Sequence, residues 1–192
     1  MTFTTYADML RPAARKQALI YDVTLVLGGS VLIGLSACIR IPLPFSPVPI
    51  TGQTLTVLLM GALLGSRRGS LCTLAYLMQG AAGLPVFQGG HSGIAYLAGP
   101  TGGYLVGFVA AATITGLLAE RGWDRKPGTT FLAMLAGSGM LYLFGLSWLA
   151  LAIGSQNALM AGLVPFIPGD LLKIALATAL LPAGWKLLGN RS

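Results

Sequence analysis

The sequence predicts an all-α integral membrane protein: a six-transmembrane-helix bundle whose long extracytoplasmic loops fold over a ligand pocket. Three observations point there. Of 192 residues 55% are hydrophobic and 9% are charged, and the mean hydropathy is +0.78. Several stretches approach the roughly 20 apolar residues that cross a bilayer. The bases cluster in alternate connections between those stretches, the distribution that orients membrane helices.

Six spans are expected, at about 23–39, 50–65, 69–86, 104–119, 130–153 and 169–188, within a single domain covering 1–192. A cytoplasmic segment, 1–22, carries Arg11, Arg15 and Lys16 ahead of the first span. Arg67 and Arg68 separate the second and third spans, Arg121, Arg125 and Lys126 the fourth and fifth, and Lys186 and Arg191 end the chain. Ten of the twelve bases therefore fall on one side, with Arg40 opposite and Lys173 inside the last span. Both termini are expected in the cytoplasm of a bacterial inner membrane. The net charge of +7 then reports topology, and a nucleic-acid partner is not expected.

In the first span GGSVLIGLSA (28–37) places Ser30 and Gly34 four residues apart, a small-xxx-small pair suited to close helix approach. A partner protein and the bundle's own packing are equally good reasons for it. LSAC (35–38) resembles a lipoprotein processing site, but more membrane follows it instead of a soluble body. Cys38 and Cys72 lack the spacing of a metal or redox pair and read as small buried side chains.

Outer connections are expected at 40–49 (RIPLPFSPVP), 84–103 and 154–168. They are rich in Pro, Gly and aromatic residues and nearly free of charge, too apolar for solvated linkers. Irregular backbone beside a bilayer is tolerated where it is buried in protein or lines a cavity, so these loops are expected to cap a pocket. The third-to-fourth connection holds the chain's one histidine, and seven glycines fall between Gly89 and Gly107.

Catalytic chemistry finds little footing. GHSG (90–93) has the spelling of an intramembrane serine protease, but the chain's one histidine, His91, is the neighbour of Ser92 and not a base on another helix. GPTGGY (99–104) lacks the Lys-Ser/Thr ending of a phosphate cradle. One histidine, two dispersed cysteines and five acids offer no metal cluster, and no cofactor is expected. The chain reads as a binder or carrier.

The sharpest feature is VPFIPGDLLKIALATALL (164–181). Asp170 and Lys173 are an acid and a base inside the last span, three residues apart and so on one helical face. Each costs roughly 2.5–3.5 kcal/mol at the centre of a lone membrane helix, so each needs a partner or a function. A first-turn acid suits the helix dipole; a cation there does not, unless an anionic ligand joins it or the side chain reaches the interface.

PVPITGQTL (47–55), LLGSRRG (63–69), GLPVFQGG (83–90), GPTGGYLVGF (99–108) and PFIPGDLLK (165–173) occur together and in order. By these motifs the chain resembles the BioY family, the biotin-specific substrate-binding (S) components of energy-coupling-factor (ECF) vitamin transporters, from about residue 40 through the last span. Gly52 departs from the larger apolar residue expected there, which bears on packing around Gln53. The resemblance implies a biotin pocket near the outer face, no catalytic activity, and energy supplied by a separate transmembrane coupling protein and ATPase subunits. It implies substrate contacts from Asp170 and Lys173 and from the third-to-fourth loop. Gln88 is expected as a polar contact, Phe87 and Tyr104 as pocket walls, and Gln53 as a further lining residue. Ser30 and Gly34 are the candidate docking pair for the coupling protein. The resemblance leaves open a homo-oligomer, a different vitamin as ligand, and which end of biotin, carboxylate or ureido ring, meets Lys173.

Overall fold

The computed structural model describes residues 5–189; Arg191, one of the bases assigned to the cytoplasmic side, lies outside the described residues. In chain order the elements are α1 (Tyr6–Met9), α2 (Arg15–Ser36), β1 (Arg40–Ile41), β2 (Ile50–Thr51), α3 (Gln53–Ala81), α4 (Ile94–Leu97), α5 (Gly102–Ala119), α6 (Pro127–Ile153), α7 (Ser155–Gly162) and α8 (Ile167–Gly189). Four runs are long and apolar enough to cross a membrane: α2, α5, α6 and Ser155–Leu188.

The second and third expected spans are the two arms of α3. Gly65 inside it has φ 84° and ψ 173°, which breaks the helix. A straight helix would hold Gln53 and Tyr76 roughly 34 Å apart at 1.5 Å per residue, yet Gln53 Nε2 donates to Tyr76 Oη at 2.6 Å. The arms therefore run antiparallel, so close that a Cβ on Gly69 would lie 2.8 Å from Gly61 Cα. Glu120 seals the reversal: its Oε1 accepts from Ser66 N at 2.7 Å and Ser66 Oγ at 2.9 Å, capping the second arm where the dipole favours an anion.

Around this hairpin α2 runs parallel to the second arm. Asp22 pairs with Arg68, Val26 O accepts from Cys72 Sγ, and Ser30 Oγ accepts from Gln79 Nε2 at 3.0 Å, so both numbers rise together. α5 and α6 are antiparallel, with Gly103 against Trp148 and Gly137 against Thr115. α8 returns along α6, where Tyr142 meets Asp170. Val57, Leu58, Tyr76, Ala111, Ala112 and Met134 form the centre. Apolar surface gives helices no reason to associate within lipid, so close backbone approach holds them together.

Several boundaries differ from those read in the sequence. α2 starts at Arg15, inside the segment expected to precede the membrane, because Arg, Lys and Gln extend a helix well while hydropathy marks only its immersed part. The 154–168 connection is largely helical: Gly154, at φ 84°, ends α6 and lets α7 start at once. Of the docking pair, Ser30 is corrected: it is fully buried against Gln79, so its small size serves the α2–α3 contact. Gly34 is half-buried, and Val86 of the loop after α3 lies 3.5 Å from where its Cβ would stand.

At the basic end, Arg68 bridges Asp8 at 2.8 Å and Asp22 at 2.7 Å, and Arg11 joins Asp22 at 2.7 Å. Burial tends to raise the Asp8 pKa, but the hydrogen bonds from Arg68 and Thr5 outweigh it and hold the carboxyl below its ordinary value. Nearby, Asp124 is 1% exposed and accepts from Trp185 Nε1 at 2.5 Å, while Arg125 lies 4.3 Å over the Trp185 ring. Burial raises the Asp124 pKa, and the indole hydrogen bond offsets that only in part.

Two outcomes are expected. Gly65→Ala forces a side chain into a glycine-only backbone region and toward Glu120 Oε1, 2.8 Å away; thermal unfolding in detergent should show a loss of about 1–3 kcal/mol. Gly139→Ala, with nothing within 4 Å, should match the parent. Because the folded Asp124 pKa is raised, the folded state holds its proton longer than the unfolded chain. This contribution to stability is present near pH 4 and is lost as pH rises through the folded value. Asp124→Asn should flatten that fall in pH-dependent unfolding measurements.

Candidate functional site

At the end of the bundle away from the Arg68 network, a cavity opens between α3, α5, α6, α8 and the loops above them. Its floor is set by the start of α8. The short 3₁₀ turn Val164–Phe166 delivers the chain into α8, which places Asp170 in the first turn. Lys173 Nζ folds back to donate to Asp170 Oδ1 at 3.1 Å and reaches across to Thr54 Oγ1 at 2.8 Å, at the start of α3. Tyr142 Oη on α6 donates to Asp170 Oδ2. The side chains of Lys173 and Asp170 are 16% and 13% exposed. Lys173 thus turns into the bundle instead of rising to the interface. A buried pair like this is strongly destabilised if one partner is removed, by about 3–5 kcal/mol, because the other charge stays desolvated.

Apolar and aromatic groups complete the walls: Tyr104, Leu105 and Phe108 from α5, Leu141 from α6, and Phe166. Tyr104 is fixed by donating to Gly162 O at 2.8 Å, which also ties α5 to α7. Gln53 lines the cavity beside Thr54 and is anchored by Tyr76. The upper rim holds Gln88 and Tyr96, whose Oε1 and Oη are buried without a hydrogen-bond partner. Such atoms are costly unless something polar meets them.

The loops make a roof. β1 and β2 pair antiparallel, Arg40 with Thr51, which pins the ends of the proline-rich segment 42–49. Ser46 Oγ donates to Ala161 O at 2.7 Å, and Trp148 Nε1 donates to Gly99 O at 3.0 Å. A second cleft, lined by Arg40, His91 and Pro100, shares Pro49, Gln88, Tyr96 and Thr101 with the cavity. His91 stacks on Tyr96 with ring centroids 5.1 Å apart, and Ser92 is exposed.

Five of the residues singled out in the sequence therefore converge on one cavity: Gln53, Gln88, Tyr104, Asp170 and Lys173. Phe87 does not line it. It is 1% exposed, seated over Gly80 where a Cβ would come within 2.1 Å of its ring, edge-on to Tyr76 and stacked behind Tyr96. The expectation of a wall is corrected to a support for the wall residue Tyr96. Thr54, Tyr96 and Tyr142 escaped sequence reasoning. Thr54 follows Gln53 in the quoted TGQTL stretch and Tyr96 shares the loop of Gln88. Tyr142 carried only the weak signal of a hydroxyl in an apolar helix.

The comparisons with known proteins now bear on this geometry. The model of the BioY family matches residues 9–190. The chain belongs to the BioY family. Among its relatives, a biotin transporter BioY of Rhizobium etli is 38% identical over 181 residues, covering 88% of this chain and 97% of the relative. A biotin transporter BioY of Thermotoga maritima is 40% identical over 150 residues, covering 77% and 86%. A crystal structure of the S-component for biotin from an ECF-type ABC transporter superposes with a TM-score of 0.77 at 27% identity, over 91% of this chain and 95% of that one. BioY membership agrees with an all-helical, multi-pass architecture, and four of the five stretches that carried the resemblance, PVPITGQTL, GLPVFQGG, GPTGGYLVGF and PFIPGDLLK, supply residues to the cavity lining, while LLGSRRG forms the reversal at Gly65.

Phe87→Ala should empty the space over Gly80 and act on stability, with a loss of about 3–5 kcal/mol in thermal unfolding in detergent. Gly80→Ala, which collides with the same ring, should destabilise by the opposite fault, overpacking.

Proposed function

We propose that this chain binds biotin in the cavity and carries it across a bacterial cytoplasmic membrane as the substrate-binding component of an ECF transporter. Energy comes in this reading from a separate transmembrane coupling protein and ATPase subunits, and the chain itself catalyses no reaction. The carrying observation is the Asp170–Lys173 pair, held by Tyr142 and Thr54 at the floor of an otherwise apolar and aromatic cavity. Such a site asks for a ligand with an apolar body and polar groups at fixed points. Biotin has that form: a ureido ring with two N–H donors and a carbonyl acceptor, a thioether face, and an apolar arm ending in a carboxylate.

The assignments follow from chemistry. Asp170 accepts from an N–H donor and Lys173 supplies its remaining N–H to an acceptor. Gln53 and Tyr104 shape the wall, while Gln88 and Tyr96 offer polar atoms to the other end of the ligand. Its relatives among the biotin transporters BioY, and its likeness to the S-component for biotin, support the choice of biotin over other vitamins.

The topology in this reading is one domain with six crossings: α2, the two arms of α3, α5, α6 and α8. The reversal at Gly65 supports counting α3 twice. Both termini lie in the cytoplasm with the Arg68 network, and the cavity opens outward.

Equilibrium binding to the purified protein tests the proposal, with thiamine and riboflavin as controls. Biotin should bind selectively, and Lys173→Ala and Asp170→Asn should each weaken it by tenfold or more, about 1.4 kcal/mol. Tyr142→Phe should cost less, about 0.5–1.5 kcal/mol, and Ser92→Ala nothing. Comparable affinity for all three vitamins, or an unaffected Lys173→Ala, would overturn the assignment.

A further inference from the structure

Charge is distributed unevenly around the cavity. At the floor Asp170 and Lys173 carry one charge of each sign and meet at 3.1 Å. The chain's other four acids stand toward the Arg68 end, Asp8 and Asp22 on Arg68, Glu120 on Ser66 and Asp124 on Trp185. The cleft that adjoins the cavity through Gln88, Tyr96 and Thr101 is lined by Arg40 and by no acid. Arg40 is exposed and has no carboxylate within ion-pair distance among the described residues. The floor is therefore balanced, and the rim holds a cation without a counter-charge.

The fold keeps that cation beside the cavity. Arg40 pairs with Thr51 across β1 and β2, and Thr51 lines the cavity. Thr51 precedes Thr54, the floor partner of Lys173, by three residues, so at most roughly 11 Å of chain separates the two levels. The Arg40 side chain lies against the turn that carries Gln88: a Cβ on Gly89, where φ is 75°, would stand 2.3 Å from Arg40 Nη1 and 3.3 Å from His91 Cδ2. Glycine at 89 leaves room for the guanidinium there. His91 in turn stacks on Tyr96, whose buried hydroxyl has no protein partner.

Charge balance decides which end of the ligand goes where. A carboxylate at the floor would join Asp170, two anions against one ammonium, and an unbalanced charge is costly to bury. A neutral ureido group keeps the floor balanced, since Asp170 can accept from one of its N–H groups while Lys173 donates to its carbonyl. The carboxylate then falls at the rim, where it supplies the counter-charge that Arg40 lacks.

We propose that Arg40 holds the ligand's carboxylate, with the Tyr96 hydroxyl as a second donor, and so selects the free acid over its neutral derivatives. The assignment rests on the reading of the cavity as a biotin site. It fixes the pose, with the ureido ring on Asp170 and Lys173, the arm along the apolar walls, and the carboxylate beside the 88–90 turn.

Equilibrium binding to the purified full chain tests it with two ligands, biotin and biotinamide, in which a neutral amide replaces the carboxylate. The parent should prefer biotin by about fivefold, a charged hydrogen bond discounted for the exposure of Arg40. Arg40→Gln should lose that preference by weakening biotin alone, and its retained affinity for biotinamide reports that it folds. Lys173→Ala should weaken both ligands and keep the preference, because it meets the ureido ring that they share. Equal binding of the two ligands by the parent, or an Arg40→Gln variant that still prefers biotin, would overturn the proposal. So would a preference that vanishes in Lys173→Ala, which returns the carboxylate to the floor, or a loss of both ligands in Arg40→Gln, which makes the residue structural. The biotin reading falls separately, on the thiamine and riboflavin controls.

Discussion

Gly65 holds a backbone conformation that residues with a side chain scarcely reach, and it turns α3 back on itself within a few residues. Everything near the cavity depends on that reversal. It brings Gln53 to Tyr76, sets Thr54 opposite Lys173, and places Arg68 between Asp8 and Asp22 at the other end. The turn is kept tight by contacts that only small residues allow. Gly61 touches Gly69, and Gly116 lies so close that its Cβ would meet Ser66 N at 2.4 Å. In lipid, where helices gain nothing from hiding apolar surface, such proximity supplies the packing energy.

That architecture lets the protein keep charge inside the membrane. Asp170 and Lys173 neutralise each other, and Tyr142 and Thr54 from two further helices satisfy part of their remaining hydrogen-bonding capacity. The arrangement fixes both side chains without saturating them. At the rim, Gln88 Oε1 and Tyr96 Oη remain without protein partners. The cavity is therefore polar at floor and rim and apolar between.

The two ends of the bundle are built differently. At the cavity end the connections carry little charge beyond Arg40 and are held over the cavity by backbone and neutral hydrogen bonds, such as Ser46 to Ala161 and Trp148 to Gly99. At the other end charges do the joining, through the Asp8–Arg68–Asp22–Arg11 chain, with the Tyr6–Trp185 contact beside it.

Much of this was legible in the sequence, because hydropathy and the placement of bases act through the solvent and need no partner residue. They gave the all-helical membrane class, and the cost of burying a charge singled out Asp170 and Lys173. What they missed depends on which faces meet. Thr54 and Tyr142 join the pair from 119 and 28 residues away, a distance along the chain that no local spacing encodes. Phe87 looked like a wall and is a prop, since the space over Gly80 decides its place. Ser30 suited a partner or the bundle equally in the sequence and is taken up by α3, because a small residue serves any close neighbour alike. Composition and charge are properties of single residues against their solvent, so the sequence by itself determined the class and the exceptional charges; contact depends on the pairing of distant surfaces, which only the folded chain decided.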